Sequence, residues 1–144
     1  SSGIDAAILP DLPFVESGPW RHAAANVGIE TIMLAAPTTP DARLGELCEA
    51  SSGFVYAGGL LGVTGERAQL ASTATEIAAR CKGVTDKPVL TGVGIGSPEH
   101  AVEACEVADG VIIGSAVVRR LLNGDGADGV GELIASFRDA LDAG

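Results

Sequence analysis

Three glycine-bearing segments carry the residues best suited to chemistry: GVTG at Gly62–Gly65, GVGIGSP at Gly92–Pro98 and VIIGSAVV at Val111–Val118. Each lies where an apolar, β-rich run gives way to a loop or helix. Such a turn exposes backbone N–H groups that lack internal partners and sit at the positive end of a helix dipole, an arrangement that holds phosphate. Thr64 and Ser115 could add hydroxyls to the cradle. One glycine turn of this kind is ordinary turn chemistry; three at successive strand exits point to a phosphate site. Nucleophilic catalysis has no support, because Ser115 has neither His nor Asp at activating spacing. Metal and dithiol chemistry fare no better, since Cys48, Cys81 and Cys105 are widely spaced and form no CxxC pair.

Composition narrows the partners. The 144 residues include only five aromatics, and the formal net charge is −10, both against a surface that stacks bases or neutralises phosphate backbones. No apolar run approaches the ~20 residues that span a bilayer. The start, SSGIDAAILP, has neither the basic region nor the cleavage site of a secretory signal. An odd number of scattered cysteines in helical context reads as reduced core thiols, and so as a cytoplasmic protein. Apolar residues at 47% fit an α/β domain with a well-covered sheet, and the length fits one domain over residues 1–144.

The elements that must position the glycines follow from the pattern. Ala6–Leu9 is a short buried strand, followed by a helix from Ser17 to Val27 that Gly28 stops. Thr31–Ala35 is the second strand. Thr39 is expected to cap the next helix, with Pro40 in its first turn, as far as Ala50. Phe54–Ala57 is the third strand, and Gly58–Gly65 a glycine-rich loop suited to be a lid. A helix from about Ala68 to Lys82 buries one face through Leu70, Ala74, Ile77 and Cys81. Val89–Thr91 is the fourth strand; Ser97 caps a helix with Pro98 at its first position and an end near Ala108. Gly110–Ile113 is the fifth strand and Ser115 opens a helix. Asn123–Gly129 reads as a flexible break before a last amphipathic helix, Val130–Leu141.

Five β–α units mean a parallel sheet covered by helices. By pattern and length alone, a doubly wound sheet fits better than a (β/α)8 barrel, which takes eight units and ~250 residues. The loops point the other way, because barrels hold phosphate after their last two strands, where GVGIGSP and IIGSAVV lie.

The chain resembles the α subunit of tryptophan synthase. The matching residues are Gly3–Ser17 (GIDAAILPDLPFVES), Phe54–Gly65 (FVYAGGLLGVTG), Gly92–Pro98 and Ile113–Val118, in the family's order and spacing over essentially the whole chain. Tyr56, eight residues before Thr64 and followed by GVTG, is the most distinctive. The resemblance implies a (β/α)8 TIM barrel of which this chain is the C-terminal five-eighths, from strand 4 to the last helix, with strands 1–3 absent. It implies a lyase of tryptophan biosynthesis that splits indole-3-glycerol phosphate to indole and glyceraldehyde 3-phosphate by a retro-aldol step. No metal or cofactor is needed, and a β subunit receives the indole in an αββα complex. Carried over by position, the phosphate site is Gly65, Gly94, Gly114 and Ser115, and the indole pocket is Leu34, Tyr56, Thr64, Val93 and Ile112.

The family's two catalytic carboxylates come from its second strand and the following loop, so none of this chain's residues is expected to be catalytic. Asp11, directly after the first strand, is on the correct face and receives a supporting role. Asp5 begins that strand and falls at the opposite end. His22, His100, Arg119 and Arg120 read as solvated helix positions. Two other readings remain at this point: a non-catalytic phosphate-binding half-barrel that self-associates through its open sheet edges, and another phosphate-binding barrel enzyme.

Overall fold

Runs such as Val55-Tyr56-Ala57 and Val89-Leu90-Thr91, rich in β-branched and aromatic residues and bounded by turns, pair side by side in one direction. The computed structural model describes residues 3–59, 67–92 and 94–143, and only the helix backbone at 67–71. Strands and helices alternate among the described residues. The strands are β1 (Ala6–Ile8), β2 (Glu30–Ile32), β3 (Leu34–Ala35), β4 (Val55–Ala57), β5 (Val89–Thr91) and β6 (Gly110–Val111). The helices are α1 (Gly18–Asn26), α2 (Asp41–Ala50), α3 (Arg67–Lys82), α4 (Pro98–Cys105), α5 (Ser115–Leu122) and α6 (Gly126–Ala143), with a 3-10 turn at Phe14–Glu16.

All pairings are parallel and follow chain order: β1 with β2, then β3 with β4, β5 and β6. The expected second strand, Thr31–Ala35, is present but divided at Met33. Its lower part pairs with β1 and its upper part with β4, while Met33 N–H donates to Ser51 Oγ at 2.8 Å. The Thr31 carbonyl already accepts from Ser52 N–H, so β2 and β3 are one strand shared by two neighbours. This offset is the stagger that tilted barrel strands require. Among the described residues strand order never reverses, and they contain no switch point of a doubly wound sheet. The architecture is a partial (β/α) barrel.

The pleat sorts the side chains. Met33, Ala35, Val55, Ala57 and Val89 are buried beneath Leu44, Leu47 and Cys48 of α2 and Ile77, Ala78 and Cys81 of α3. Phe137 of α6 closes a second cluster with Ile95 and Ala101, against which Val111 and Ile113 pack. The alternate row, Leu34, Tyr56, Leu90 and Gly110, faces the other way and is only half-buried.

Three local expectations are corrected. Thr39 does not cap α2; Pro40 holds the cap position, and Thr39 Oγ1 accepts from Ala36 N–H at 3.0 Å instead. Ser17 is drawn into the turn before α1, its hydroxyl donating to the Phe14 carbonyl at 2.7 Å. The break expected at Asn123–Gly129 is shorter, because α6 already starts at Gly126. Glycine-rich composition reads as loop, but packing on α4 and α5 overrides that propensity. Ser97 does occupy the α4 cap position, although its hydroxyl pairs with the Glu99 carboxylate and not with a helix N–H.

One ion pair and a lysine cap stand at the N-terminal end of the strands. Lys82 Nζ meets both Asp109 oxygens at 2.7 and 2.9 Å, and Asp109 also accepts from Val89 N–H; together they hold its carboxyl below the usual range. Lys87 Nζ closes the end of α2 by donating to the carbonyls of Cys48, Glu49 and Ser51.

Cys48 and Cys81 are fully buried between α2 and α3 with their thiols close to each other. Burial, and then the neighbouring thiol, push Cys81 from 9.0 to about 12. The folded chain therefore keeps a proton that the unfolded chain releases above pH 9, and stability falls as pH rises from there toward 12. Urea midpoints measured across that window should decline, with a shallower decline in Cys81→Ala. An identical slope in the two proteins would contradict this placement of the thiol.

Candidate functional site

Parallel strands in one order bring all their C-terminal exits to one rim. Asp11 lies in the turn after β1, Pro37–Pro40 follow β3, Gly58 follows β4, Gly92 and Gly94 follow β5, and Gly114 follows β6. Asp5 precedes β1 and its carbonyl accepts from Glu30 N–H at the opposite end, as its place in the sequence implies. Asp11 is exposed.

The inward row supplies the wall below this rim. Leu34 and Tyr56 are register partners on β3 and β4, and Tyr56 pairs in turn with Leu90 on β5. Tyr56 reaches across β5. A Cβ built on Gly92 would lie 2.6 Å from Tyr56 Oη, 3.0 Å from the Ile112 carbonyl oxygen and 3.1 Å from Ile112 Cβ. Tyr56 and Ile112 thus converge over Gly92, and burial raises the Tyr56 phenol above its ordinary value. Leu34 packs over Gly58 and Leu90 over Gly110. Three of the five expected pocket residues, Leu34, Tyr56 and Ile112, stand on this one inward face. Thr64, Val93 and Gly65 lie outside the described residues, as does most of the Gly58–Gly65 segment expected to be a lid. Leu90 is missing from the sequence-based set, although strict alternation within Val89–Thr91 was the signal that could have found it.

The three rim glycines are small for three different reasons. Gly92 makes room for Tyr56. Gly94 has φ 78°, a left-handed conformation that favours glycine. Gly114 has φ −113° and no atom within 4 Å of a built Cβ, so neither packing nor backbone requires it. It sits in the N-cap position of α5, whose first intrahelical bond runs from Val118 N–H to the Gly114 carbonyl at 3.1 Å. The N–H groups of Ser115, Ala116 and Val117 precede that bond and so lack an intrahelical partner. Open space at the Gly114 Cβ position, beside a helix start without N–H partners, suits an anion.

Nearby features do not compete with this site. Among the described residues, no group of three His, Cys, Asp or Glu could hold a metal ion. A cavity under the β1–α1 turn, lined in part by Leu12, Trp20 and Leu34, has a volume of about 20 Å³, enough for a water and far short of an indole.

Comparison with known proteins decides the family. The sequence model described as tryptophan synthase alpha chain matches residues 1–138. The chain belongs to the tryptophan synthase alpha chain family. The alpha chain of Streptomyces coelicolor is 44% identical over 140 residues, covering 94% of this chain and 52% of that protein. The one from Picosynechococcus is 41% identical over 145 residues, covering 98% and 55%. Among solved structures, Mycobacterium tuberculosis tryptophan synthase superposes with a TM-score of 0.80 at 37% identity, over 95% of this chain and 51% of that one. The α2β2 complex of Pyrococcus furiosus gives 0.78 at 34%, over 97% and 56%. The chain spans about half the length of the curated relatives it matches.

The glycines separate by substitution. Gly92→Ala should lower stability by about 1–3 kcal/mol, the usual range for overpacking, in a denaturant melt. Adding Tyr56→Phe should restore part of it, because the Ile112 carbonyl still crowds the new methyl. Gly114→Ala should stay within about 0.5 kcal/mol of the parent, as an unconstrained surface change does. Equal losses at Gly92 and Gly114 would contradict the distinction.

Proposed function

We propose that residues 1–144 form one domain that holds substrate for a tryptophan synthase alpha-type lyase of the cytoplasm. The substrate is indole-3-glycerol phosphate. The observation that carries this reading is the coincidence, on one rim, of an unhindered glycine at a helix start and an apolar inward wall ending in a tyrosine. Gly94, Gly114 and Ser115, with Gly65, take the phosphate through backbone N–H groups. Leu34, Tyr56 and Ile112, with Thr64 and Val93, flank the indole and exclude water from it.

In the retro-aldol step, the bond from indole C3 to the adjoining carbinol carbon breaks. The carbinol hydroxyl loses its proton and becomes the aldehyde of glyceraldehyde 3-phosphate, while indole C3 gains one. Both transfers need positioned acids and bases. Among the described residues, none of the carboxylates on the rim side stands in the inward row; Asp11 is exposed beyond it and serves to order the rim. The acid–base pair is assigned to residues outside these 144, and the β subunit of tryptophan synthase receives the indole.

Glycerol 3-phosphate titrated into the chain by calorimetry should bind saturably. Gly114→Asp should weaken binding by at least about tenfold, through a like charge beside the phosphate, without shifting the melting temperature. Indole release from indole-3-glycerol phosphate should be undetectable for the 144 residues alone. Turnover by the purified chain would overturn the assignment of the missing acids, and absence of phosphate binding by a folded chain would overturn the site.

A further inference from the structure

Few contacts fix where α5 begins. Strand β6, which leads into it, has two residues, both half-buried, and pairs only with β5 among the described residues. Its register pairs are Leu90 with Gly110 and Thr91 with Val111. Apolar patterning cannot set that register by itself. Val111, Ile112 and Ile113 are consecutive apolar side chains, and a slip of one residue would exchange them for one another at little cost in burial. Asp109, directly before β6, supplies what the pattern lacks by holding both backbone groups of Val89. Its N–H donates to the Val89 carbonyl at 2.8 Å, and its Oδ2 accepts from Val89 N–H at 2.8 Å. Lys82 Nζ, from the end of α3, donates to both carboxylate oxygens and holds the side chain in that orientation. The next residue is Gly110, where a Cβ would lie 2.9 Å from Leu90 Cδ2, so a slip would force Asp109 or Val111 under Leu90. Past the strand, Ile112 N–H donates to the Thr91 carbonyl at 2.8 Å.

We infer that Asp109 is a positioning residue for the phosphate cradle: from the opposite rim it sets the register of β6 and so fixes where Gly114 and the first N–H groups of α5 stand. It touches no substrate. Its hold on Val89 places Gly110 under Leu90, which places Ile112 on Thr91, and Gly114 follows. Loss of the hold lets β6 shift by one residue, about 3.3 Å along the strand. A shift of that size takes N–H groups out of hydrogen-bond reach of a phosphate held by the β5 exit. Lys82 serves the same end through the carboxylate it orients.

The role rests on the phosphate site proposed above; register is read without ligand and the site by binding, so the two can fail separately. The experiment combines amide hydrogen exchange with glycerol 3-phosphate calorimetry on the full 144-residue chain. Asp109→Ala should speed exchange of Ile112 N–H at least about tenfold relative to Tyr56 N–H on β4, as a local opening does. It should also weaken binding at least about tenfold, the scale of a lost hydrogen bond to a charged group. Lys82→Met should move both readouts the same way and less far. Asp109→Asn keeps an oxygen for Val89 N–H and should hold affinity within about twofold of the parent. Ile77→Val, a core change in α3 away from β6, should lower the melting temperature and leave both readouts unchanged, which separates positioning from general loss of stability. The inference is overturned if neither Asp109→Ala nor Lys82→Met alters Ile112 exchange, if exchange rises without loss of affinity, if Asn is as damaging as Ala, or if Ile77→Val reproduces the effect. A folded parent chain that binds no phosphate overturns the site and with it the role of Asp109, while exchange still reports the register.

Discussion

Alternation of side chains along β3, β4 and β5 is the constraint on which the rest depends. It sends Ala35, Val55, Ala57 and Val89 under the helices and Leu34, Tyr56 and Leu90 into the concave side. A slip of one residue would exchange the two sets, placing a tyrosine ring against the tight layer formed by Cys48, Ile77 and Cys81. The register is held where Tyr56 lies over Gly92, since a side chain at that position would collide with the phenol. The same contact draws Ile112 inward and aligns the exits of β5 and β6. The loops proposed to hold phosphate are therefore placed by packing in the sheet below them.

The two rims of the sheet are built from different materials. Charged and capping contacts occupy the N-terminal rim, where Lys82 meets Asp109 and Lys87 gathers three carbonyls. Glycines, a free helix start and half-buried apolar groups occupy the C-terminal rim, together with the ion pair of Arg80 and Asp41. Arg80 is a link between layers: it donates to the carbonyls of Pro37 and Thr39 and to Asp41, fixing the loop that follows Leu34.

Much of this was legible in the sequence, for reasons that differ by element. The strands could be read because buried parallel strands are short apolar runs between turn residues. The helices α2 and α4 were placed to within a few residues, yet Thr39 and Ser97 both turned to partners other than helix N–H groups, a choice that depends on loop geometry and not on residue type. Residues around Gly126 misled because glycine density outweighs the packing that makes them helical. Barrel against doubly wound sheet was not decidable from periodicity; it took the loops and the family resemblance, and unbroken strand order bears the barrel out. Within the site, glycines could be located but their separate reasons could not. Room for Tyr56, a positive φ, and open space before α5 are three-dimensional facts.

The central claim is that the exits of β5 and β6 hold phosphate through backbone N–H groups. The most direct measurement is an amide nitrogen–proton NMR titration of the chain with glycerol 3-phosphate. Saturable shifts at Gly94, Ser115 and Ala116, with Val89 and Asp109 at the opposite rim unmoved, are the expected result. Shifts confined to the opposite rim, or none at the β5 and β6 exits in a well-dispersed spectrum, would contradict it.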